Sequence, residues 1–213
     1  MNKGKINVDS NSDIFILNNK ESDLNIQLSD NENKNLYFID ILESNVDFNL
    51  EVILTNKNIV NFVYCSLNSE SYKKNVKVTI NHNGNDSFSS CEVFSINKNS
   101  SYTNIDLNAR IEPKSLNNNC IQIIRGILLS NDSRIKGKPN LFIDSNNIKA
   151  KHSLAIGALN KNHLFYLMSK GITRDDSKKL IIIGFFNKLL SKITDEKYRE
   201  DLYHKIYNRI GEI

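Results

Sequence analysis

Apolar and polar residues alternate along much of the chain between residues 5 and 145. The clearest case is the stretch VDFNLEVIL at 46–54, in which every second residue is apolar. The apolar residues are Val46, Phe48, Leu50, Val52 and Leu54. Successive side chains of a β-strand point to opposite faces, so a period of two predicts a half-buried strand. The same pattern returns in three other segments, at 23–28, 75–80 and 104–111.

Polar clusters separate these predicted strands. Segments rich in Asn, Ser, Lys and Asp lie at 29–35, 67–74 and 97–101, and this composition is typical of turns. No long amphipathic helix interrupts the series, which disfavours βαβ units. A sandwich, a barrel and a β-solenoid all remain open. Strands of similar length separated by polar corners favour the solenoid, in which each coil stacks on its neighbours.

The pattern becomes helical after about residue 155. Asn160 is suited to cap a helix that ends at Gly171, and Thr173 with Asp176 forms a capping box for a second helix. Thr194, followed by acidic residues, predicts the start of a third. The sequence therefore predicts two domains, a β body at 1–155 and a helical domain at 156–213.

The composition limits the range of functions. With 213 residues and 39% hydrophobic content, the chain is long enough for one substantial core. The formal net charge is +4 without a dense run of Lys or Arg, so we expect no nucleic-acid partner. The longest apolar run, at 180–186, is too short to cross a bilayer, and the polar first ten residues predict no secretory signal. We therefore expect no membrane partner either.

The chain has three cysteines, Cys65, Cys91 and Cys120, which are far apart in sequence. An odd number and the lack of a Cys-x-x-Cys pair argue against a disulfide framework and a structural zinc site. We expect reduced, buried thiols of a cytosolic protein. The sequence also lacks HExxH, a phosphate-binding loop and a recognisable Ser/His/Asp pattern, so we do not predict an enzyme.

One segment, at 126–185, carries a series of motifs in a distinctive order. They are Leu128-Leu129-Ser130, then Pro139, Leu141 and Ile143, then His152, then Leu164-Phe165-Tyr166-Leu167, then Ser169-Lys170-Gly171-Ile172, and finally Gly184-Phe185. In order and spacing this segment resembles the C-terminal core of the SufB/SufD family of iron–sulfur cluster assembly proteins. A weaker likeness at 80–90 extends the resemblance to residues 75–213.

The resemblance implies a mainly β chain, with a right-handed parallel β-helix followed by a small C-terminal helical domain. It implies a non-catalytic subunit of the SufBCD complex, in which the β-helix pairs with SufB and the helices contact the SufC ATPase. A cysteine desulfurase system would supply sulfur indirectly. An iron–sulfur cluster would form transiently at the partner interface, with none held tightly by this chain alone. The implied location is the cytoplasm or the stroma of a plastid-type organelle.

Within the family the chain resembles SufD more than SufB. SufB-like members carry Glu-His-Glu where this chain has Lys151-His152-Ser153, and the SufB cysteine corresponds to a position near Ile124. The resemblance also implies a SufD shortened at its N-terminus. It makes His152 an iron or nascent-cluster ligand, which suits imidazole because this group is largely neutral at cellular pH and binds Fe²⁺ well. One histidine cannot hold iron alone, so the partner would supply further ligands.

The resemblance further implies that the helices contact SufC, with Phe165, Gly171, Gly184 and Phe185 as the candidate contact residues. A glycine within a helix costs about 1 kcal/mol relative to alanine, and the close approach of a partner helix is one reason to retain it at position 184.

The remaining histidines are assigned to the surface: His82 to a solvated turn, and His163 and His204 to exposed helix positions. Two alternatives to the SufD-like function stay open. One is a β-solenoid module that binds a protein or a polysaccharide. The other is a reduced homodimeric scaffold that serves as both SufB and SufD.

Overall fold

The computed structural model describes residues 5–9, 12–17 and 20–211, in which twelve strands are followed by three helices. The strands are β1 (Lys5–Asp9), β2 (Ser12–Ile16), β3 (Glu21–Gln27), β4 (Asn33–Asp40), β5 (Val46–Leu54), β6 (Ile59–Asn68), β7 (Lys73–His82), β8 (Phe88–Asn97), β9 (Tyr102–Ile111), β10 (Asn118–Leu128), β11 (Arg134–Ile143) and β12 (Ile148–Ala158). The helices are α1 (Lys161–Ser169), α2 (Arg174–Leu190) and α3 (Glu196–Gly211).

The strands form a β-solenoid with two sheets. One sheet has the order β1-β2-β4-β6-β8-β10-β12, and the other has the order β11-β9-β7-β5-β3. From β2 onward the chain therefore alternates between the sheets, and each coil adds one strand to each. All pairs are parallel except β1–β2, which is antiparallel. The prediction of a solenoid is confirmed, and a sandwich of hairpins and a closed barrel are not formed.

The core lies between the two sheets. All five apolar residues predicted to share a face of β5 are buried there, while the residues between them are exposed or half-buried. Equivalent positions of successive coils stack directly on one another, as in the column Leu36, Phe62 and Cys91. Because full burial of a large apolar side chain contributes about 1.5–3 kcal/mol, each coil is stabilised mainly by this interior contact with the coils beside it.

The corners of the solenoid explain part of the asparagine content. Four residues with positive φ occupy equivalent corners, at Asn31, Lys57, Asp86 and Asn117. The backbone N–H of each donates to a carbonyl of the next coil at 2.8–3.0 Å. Asn and Asp adopt left-handed backbone conformations more readily than most residues other than glycine, so they suit such corners.

Buried asparagines connect the corners further. The Asn58 side chain donates to the carbonyls of Ser29 and Glu32, and the Asn118 side chain donates to the Gly84 carbonyl. These bonds satisfy backbone groups that a chain reversal would otherwise leave without partners.

The helices pack on the outer face of the seven-stranded sheet. Ile182 and Phe186 of α2 share a buried cluster with Ile39, Cys65 and Phe94 of the strands. This contact explains why the second half of β6 is buried on both faces, a pattern that alternation alone does not predict. The proposed division of the chain at residue 155 stays a prediction, since β12 continues to Ala158 and the helices share this cluster with the sheet.

Most of the predicted helix ends are confirmed. The Asn160 side chain accepts from two backbone N–H groups of α1, and Gly171 has a φ of 86° just beyond its end. The Thr173 hydroxyl accepts from the Asp176 N–H at 3.2 Å, as a capping box requires. The predicted Thr194 cap is wrong by one residue, because the carboxylate that accepts from the Tyr198 N–H belongs to Asp195.

The prediction for His82 is also wrong. β7 continues through His82, which lies on the inward face of the strand. Its imidazole is therefore inside the solenoid and has no exposed surface. Nε2 lies 2.8 Å from the Ser89 hydroxyl. Burial lowers the His82 pKa to about 4, although the nearby Asn118 side chain acts in the opposite direction. His163 and His204 are exposed, as predicted.

A buried ionic group links two coils at one corner. The Lys74 ammonium lies 2.8 Å from the Asp40 carboxylate, and neither side chain is exposed. The Tyr64 hydroxyl and the Leu42 N–H also donate to this carboxylate, at 2.7 and 3.1 Å. Burial lowers the pKa of Lys74, although the facing carboxylate opposes the shift.

Candidate functional site

The last strand, β12, forms an open edge of the seven-stranded sheet. It pairs in parallel with β10 along its whole length, from Ile148 opposite Asn118 to Ala158 opposite Leu128. No strand within the described ranges pairs with its other side. The outer edge of an 11-residue strand therefore presents backbone N–H and C=O groups that another strand could bind.

The solenoid interior is also uncovered at this end. Ala150, His152, Leu154 and Ile156 continue the inward columns of β10, but no further coil lies over them. Leu154 is consequently 48% exposed, and Ile143 of β11, which continues the inward column of the buried Ile111, is 37% exposed. We refer to the edge of β12 and these inward side chains as the open end.

Two glycines leave room for apolar side chains at the open end. A Cβ at Gly137 of β11 would lie 2.6 Å from the Leu154 Cδ1 atom, and one at Gly126 of β10 would lie 2.8 Å from the Ile135 Cδ1 atom. Glycine in a strand interior commonly marks such a close approach. The Leu154 and Ile135 side chains thus occupy the space that a side chain at either glycine would fill.

His152 lies at the middle of β12 and is exposed. It is in register with Gln122 of β10, which faces the interior of the solenoid and is 98% buried. The Gln122 amide nitrogen donates to the Asn140 carbonyl at 3.1 Å, while its Oε1 has no hydrogen-bond partner among the described residues. Sequence reasoning missed this neighbour, although the 30-residue offset between equivalent positions of β10 and β12 would have aligned the two residues.

The surroundings of His152 do not form a complete metal site. The described residues contain no group of three His, Cys, Asp or Glu side chains arranged to hold a metal ion. The cysteines are buried and free, as predicted. Burial raises the pKa of Cys120 to about 11 and raises the pKa values of Cys65 and Cys91 further. The thiols are therefore protonated near neutral pH and poorly suited to binding metal in this arrangement.

The second uncovered surface lies on the helices. None of the residues of α1 is buried, and Phe165 is 74% exposed beside Tyr166, which is also exposed. Gly171 is exposed where α1 ends. The helix therefore directs two aromatic side chains away from the chain's own core, which is unusual for residues of this size.

Gly184 is exposed at the middle of α2, and a Cβ placed there would meet nothing within 4 Å. Phe185 is half-buried, with its ring centroid 5.6 Å from that of Phe94. Both line a shallow depression with His163 and Leu180. Neither Phe165 nor Gly171 lines it, so the four candidate partner-binding residues do not form one continuous pocket. They are distributed over the outward side of α1 and α2.

The outer face of the five-stranded sheet is polar. Its side chains bond to one another between coils, as in the bond of 2.7 Å from Asn81 to Glu51. A polysaccharide-binding module is expected to present a ladder of aromatic rings, whereas the shallow depression on this face is lined by polar and charged residues such as Lys77 and Asp106. This arrangement gives no support to the alternative of polysaccharide binding.

The fold and its two uncovered surfaces define a β-solenoid protein suited to binding other chains. Residues 14–185 match the family described as "SUF system FeS cluster assembly, SufBD core domain". The chain belongs to this family of iron–sulfur cluster assembly proteins. The match begins well before residue 75, the point from which sequence motifs suggested the resemblance.

Individual relatives support the same conclusion over shorter segments. The chain is 33% identical to an iron–sulfur cluster assembly SufBD family protein of Mycobacterium leprae over 101 residues, which is 47% of this chain and 26% of that protein. It is 29% identical over 101 residues to the SufD protein of Bacillus subtilis, covering 47% and 23% respectively. With SufD of Escherichia coli it shares 27% identity over 84 residues, or 39% and 20%. The matched segments thus span a quarter or less of most of these relatives.

Proposed function

We propose that this chain is a SufD-like subunit of a SufBCD scaffold for iron–sulfur cluster assembly. It pairs with SufB through the open end, contacts the SufC ATPase through α1 and α2, and contributes His152 to the SufB interface. It is a non-catalytic subunit that works in the cytoplasm or in a plastid-type stroma, with a desulfurase system acting indirectly. The observation that carries the proposal is the unpaired β12 edge with His152 at its centre.

The open end favours a protein partner on energetic grounds. A coil added at this end would pair the unbonded backbone groups of β12 and would cover Leu154, which is 48% exposed, and Ile143, which is 37% exposed. Burial of such apolar surface contributes about 25 cal/mol per Å² before the cost of association. A related solenoid that ends in a similar strand would satisfy both requirements.

In this arrangement His152 faces the seam between the two subunits. Its imidazole is exposed and can bind iron as a neutral ligand, while the remaining ligands come from SufB. The iron and the nascent cluster are cargo that passes through the interface, so an incomplete ligand set on this chain is consistent with the role.

The helices supply the contact with SufC. Phe165 and Tyr166 offer exposed aromatic surface, and Gly184 leaves the side of α2 free of a side chain so that another helix can approach closely. Nucleotide-driven movement of SufC would then be transmitted to the seam, because α2 shares a buried cluster with the sheet that ends in β12.

Co-expression with SufB and SufC tests the proposal. We expect a complex of all three proteins on size-exclusion chromatography. Leu154→Asp should remove SufB while SufC stays bound, and Phe165→Asp should have the opposite effect. His152→Ala should leave the complex intact and lower the iron retained after anaerobic reconstitution, whereas the control His204→Ala, at another exposed histidine, should not.

Different results would overturn separate parts of the proposal. If His152→Ala and wild-type complexes retain equal iron, His152 is not a ligand. If the chain forms a stable homodimer that SufB does not displace, the reduced homodimeric scaffold is the better description. If neither SufB nor SufC co-purifies, the SufD-like role is wrong.

A further inference from the structure

We propose that a basic cleft between the solenoid and the helices binds an acidic, amphipathic helical segment of a partner protein. The basic cleft is defined by five cationic side chains: Lys98, Lys161, Arg174, Lys178 and Lys179. It lies where the ends of β10 and β12 meet all three helices and has a volume of about 530 Å³. This site is separate from the outer edge of β12 and from the depression at Gly184, so it adds a third binding surface to the proposed function.

The charge of the cleft is unusually concentrated. Its five cations face one carboxylate, Asp175, which leaves four net positive charges. The formal net charge of the whole chain is also +4, so the net positive charge of the cleft equals that of the entire molecule. A concave surface lined by one sign of charge attracts ligands of the opposite sign.

Most of these cations are not neutralised within the chain. Lys178 lies 2.9 Å from Asp175, and Lys179 lies over the ring of Tyr207. Lys98, Lys161 and Arg174 have no carboxylate within 4 Å among the described residues. Among the residues that the structure describes, these three cations have no ion-pair partner and can pair with a bound anionic group.

Two of the free cations occupy positions that oppose helix stability. Lys161 is the first residue of α1 and Arg174 is the first residue of α2. The N-terminus of a helix carries partial positive charge, so a cation there costs about 0.3–1 kcal/mol relative to a favourable placement. α1 also lacks any acidic residue in its first turn to offset the charge. Binding an anion would relieve the repulsion at Lys161, whereas Asp175 and Asp176 in the first turn of α2 already offset the charge of Arg174.

The apolar part of the cleft selects among anionic ligands. Leu129, Leu164 and Ile182 contribute aliphatic surface, and none of the described residues that line the cleft is an aromatic residue on which a nucleic-acid base could stack. A helix with aliphatic residues on one side and carboxylates on the other matches both the apolar floor and the cationic rim. The residues that line the cleft come from the solenoid and from all three helices. A bound segment would therefore stabilise the packing of the helices on the strands.

Fluorescence anisotropy with labelled peptides tests the inference. The probes are a three-turn peptide with leucine on one face and glutamate on the other, the same peptide with lysine in place of glutamate, and a glutamate peptide with serine in place of leucine. We expect only the first to bind, and its affinity should fall as salt is raised. Lys161→Glu combined with Arg174→Glu should weaken binding by about tenfold or more, which corresponds to about 1.4 kcal/mol.

The matched control is Lys192→Glu combined with Lys197→Glu, which changes two exposed lysines outside the cleft by the same total charge. Equal weakening by the control would show attraction to overall charge and would overturn the inference. Equal binding of the serine peptide would overturn the role of the apolar floor. Tighter binding to phosphatidylserine vesicles than to the first peptide, lost in the cleft variant, would replace a protein partner with a membrane surface. Since no SufB or SufC is present, failure here leaves the proposed function untouched.

Discussion

The buried imidazole of His82 should make the fold sensitive to mild acid. The unfolded chain binds a proton to this histidine near pH 6.5, whereas the folded chain does so only near pH 4. Between these values the unfolded state binds more protons, so the free energy of unfolding rises with pH. The stability is therefore fully present above pH 6.5 and is lost progressively as pH falls toward 4.

The size of the effect follows from the same two pKa values. A difference of about 2.5 pKa units corresponds to about 3 kcal/mol, since each unit is worth about 1.4 kcal/mol. This is a large part of the 5–15 kcal/mol typical of a folded domain. The cause is structural: His82 is fully inside the solenoid, and its near neighbours Ser89 and Asn118 are neutral.

Urea unfolding followed by circular dichroism at pH 7 and at pH 4.5 measures this dependence. Carboxylates also titrate in this range, so the informative quantity is the difference between the wild type and His82→Gln. We expect the variant to lose about 2–3 kcal/mol less than the wild type between the two pH values. The exposed His163→Gln variant is the control and should behave like the wild type. An equal pH dependence for His82→Gln and the wild type would refute the assignment of a buried, neutral imidazole.

Three further predictions concern single side chains. Asp40→Asn should lower the free energy of unfolding by about 3–5 kcal/mol, because Lys74 would remain buried without its carboxylate; a loss under 1 kcal/mol in urea unfolding would contradict this. Gly184→Ala should stabilise the isolated chain by up to about 1 kcal/mol yet lower the yield of the complex with SufC, and an unchanged yield would remove Gly184 from the contact. Thr173→Ala should cost about 1 kcal/mol in thermal unfolding through loss of the α2 cap, and no change would show that the capping bond is dispensable.

The strands of the solenoid could be predicted from the sequence where one face of a strand is buried and the other faces solvent. β5 has the predicted ends and the predicted buried face. The pattern fails in β6, where α2 covers the outer face, so that Val63 and Cys65 are buried in addition to the inward residues. The pattern of apolar and polar residues indicates whether one or both faces of a strand are covered. It does not identify which distant helix covers the second face.

His82 shows a different source of error. Val76, Val78 and Ile80 alternate inward along β7, and the same period places His82 inward as well. The polar residues after it suggested that the turn begins earlier. The turn instead depends on Gly84, where a Cβ would lie 2.4 Å from the Thr55 carbonyl, a contact between coils that local composition does not reveal.

The candidate site was predictable in part. His152 and the exposed aromatic residue Phe165 were identified from motifs, and both lie on uncovered surfaces. The basic cleft was not, because Lys98 and Arg174 are distant in sequence and meet only through the packing of the helices on the sheet. Gln122 was missed for a similar reason, since its relation to His152 depends on the register of two parallel strands.

The repeating corners make the chain modular in whole coils. Residues with a left-handed backbone conformation recur at equivalent corners at intervals of 26, 29 and 31 residues. The backbone N–H of each donates to a carbonyl at the equivalent corner of the next coil. Deletion of residues 57–85, which form one coil, would join two equivalent corners. The remaining strands would keep their alternation between the two sheets. The two ends would then be closer by about 4.8 Å, the spacing of neighbouring strands. Evolution and engineering can therefore adjust the reach of such a scaffold in fixed steps without redesigning either end.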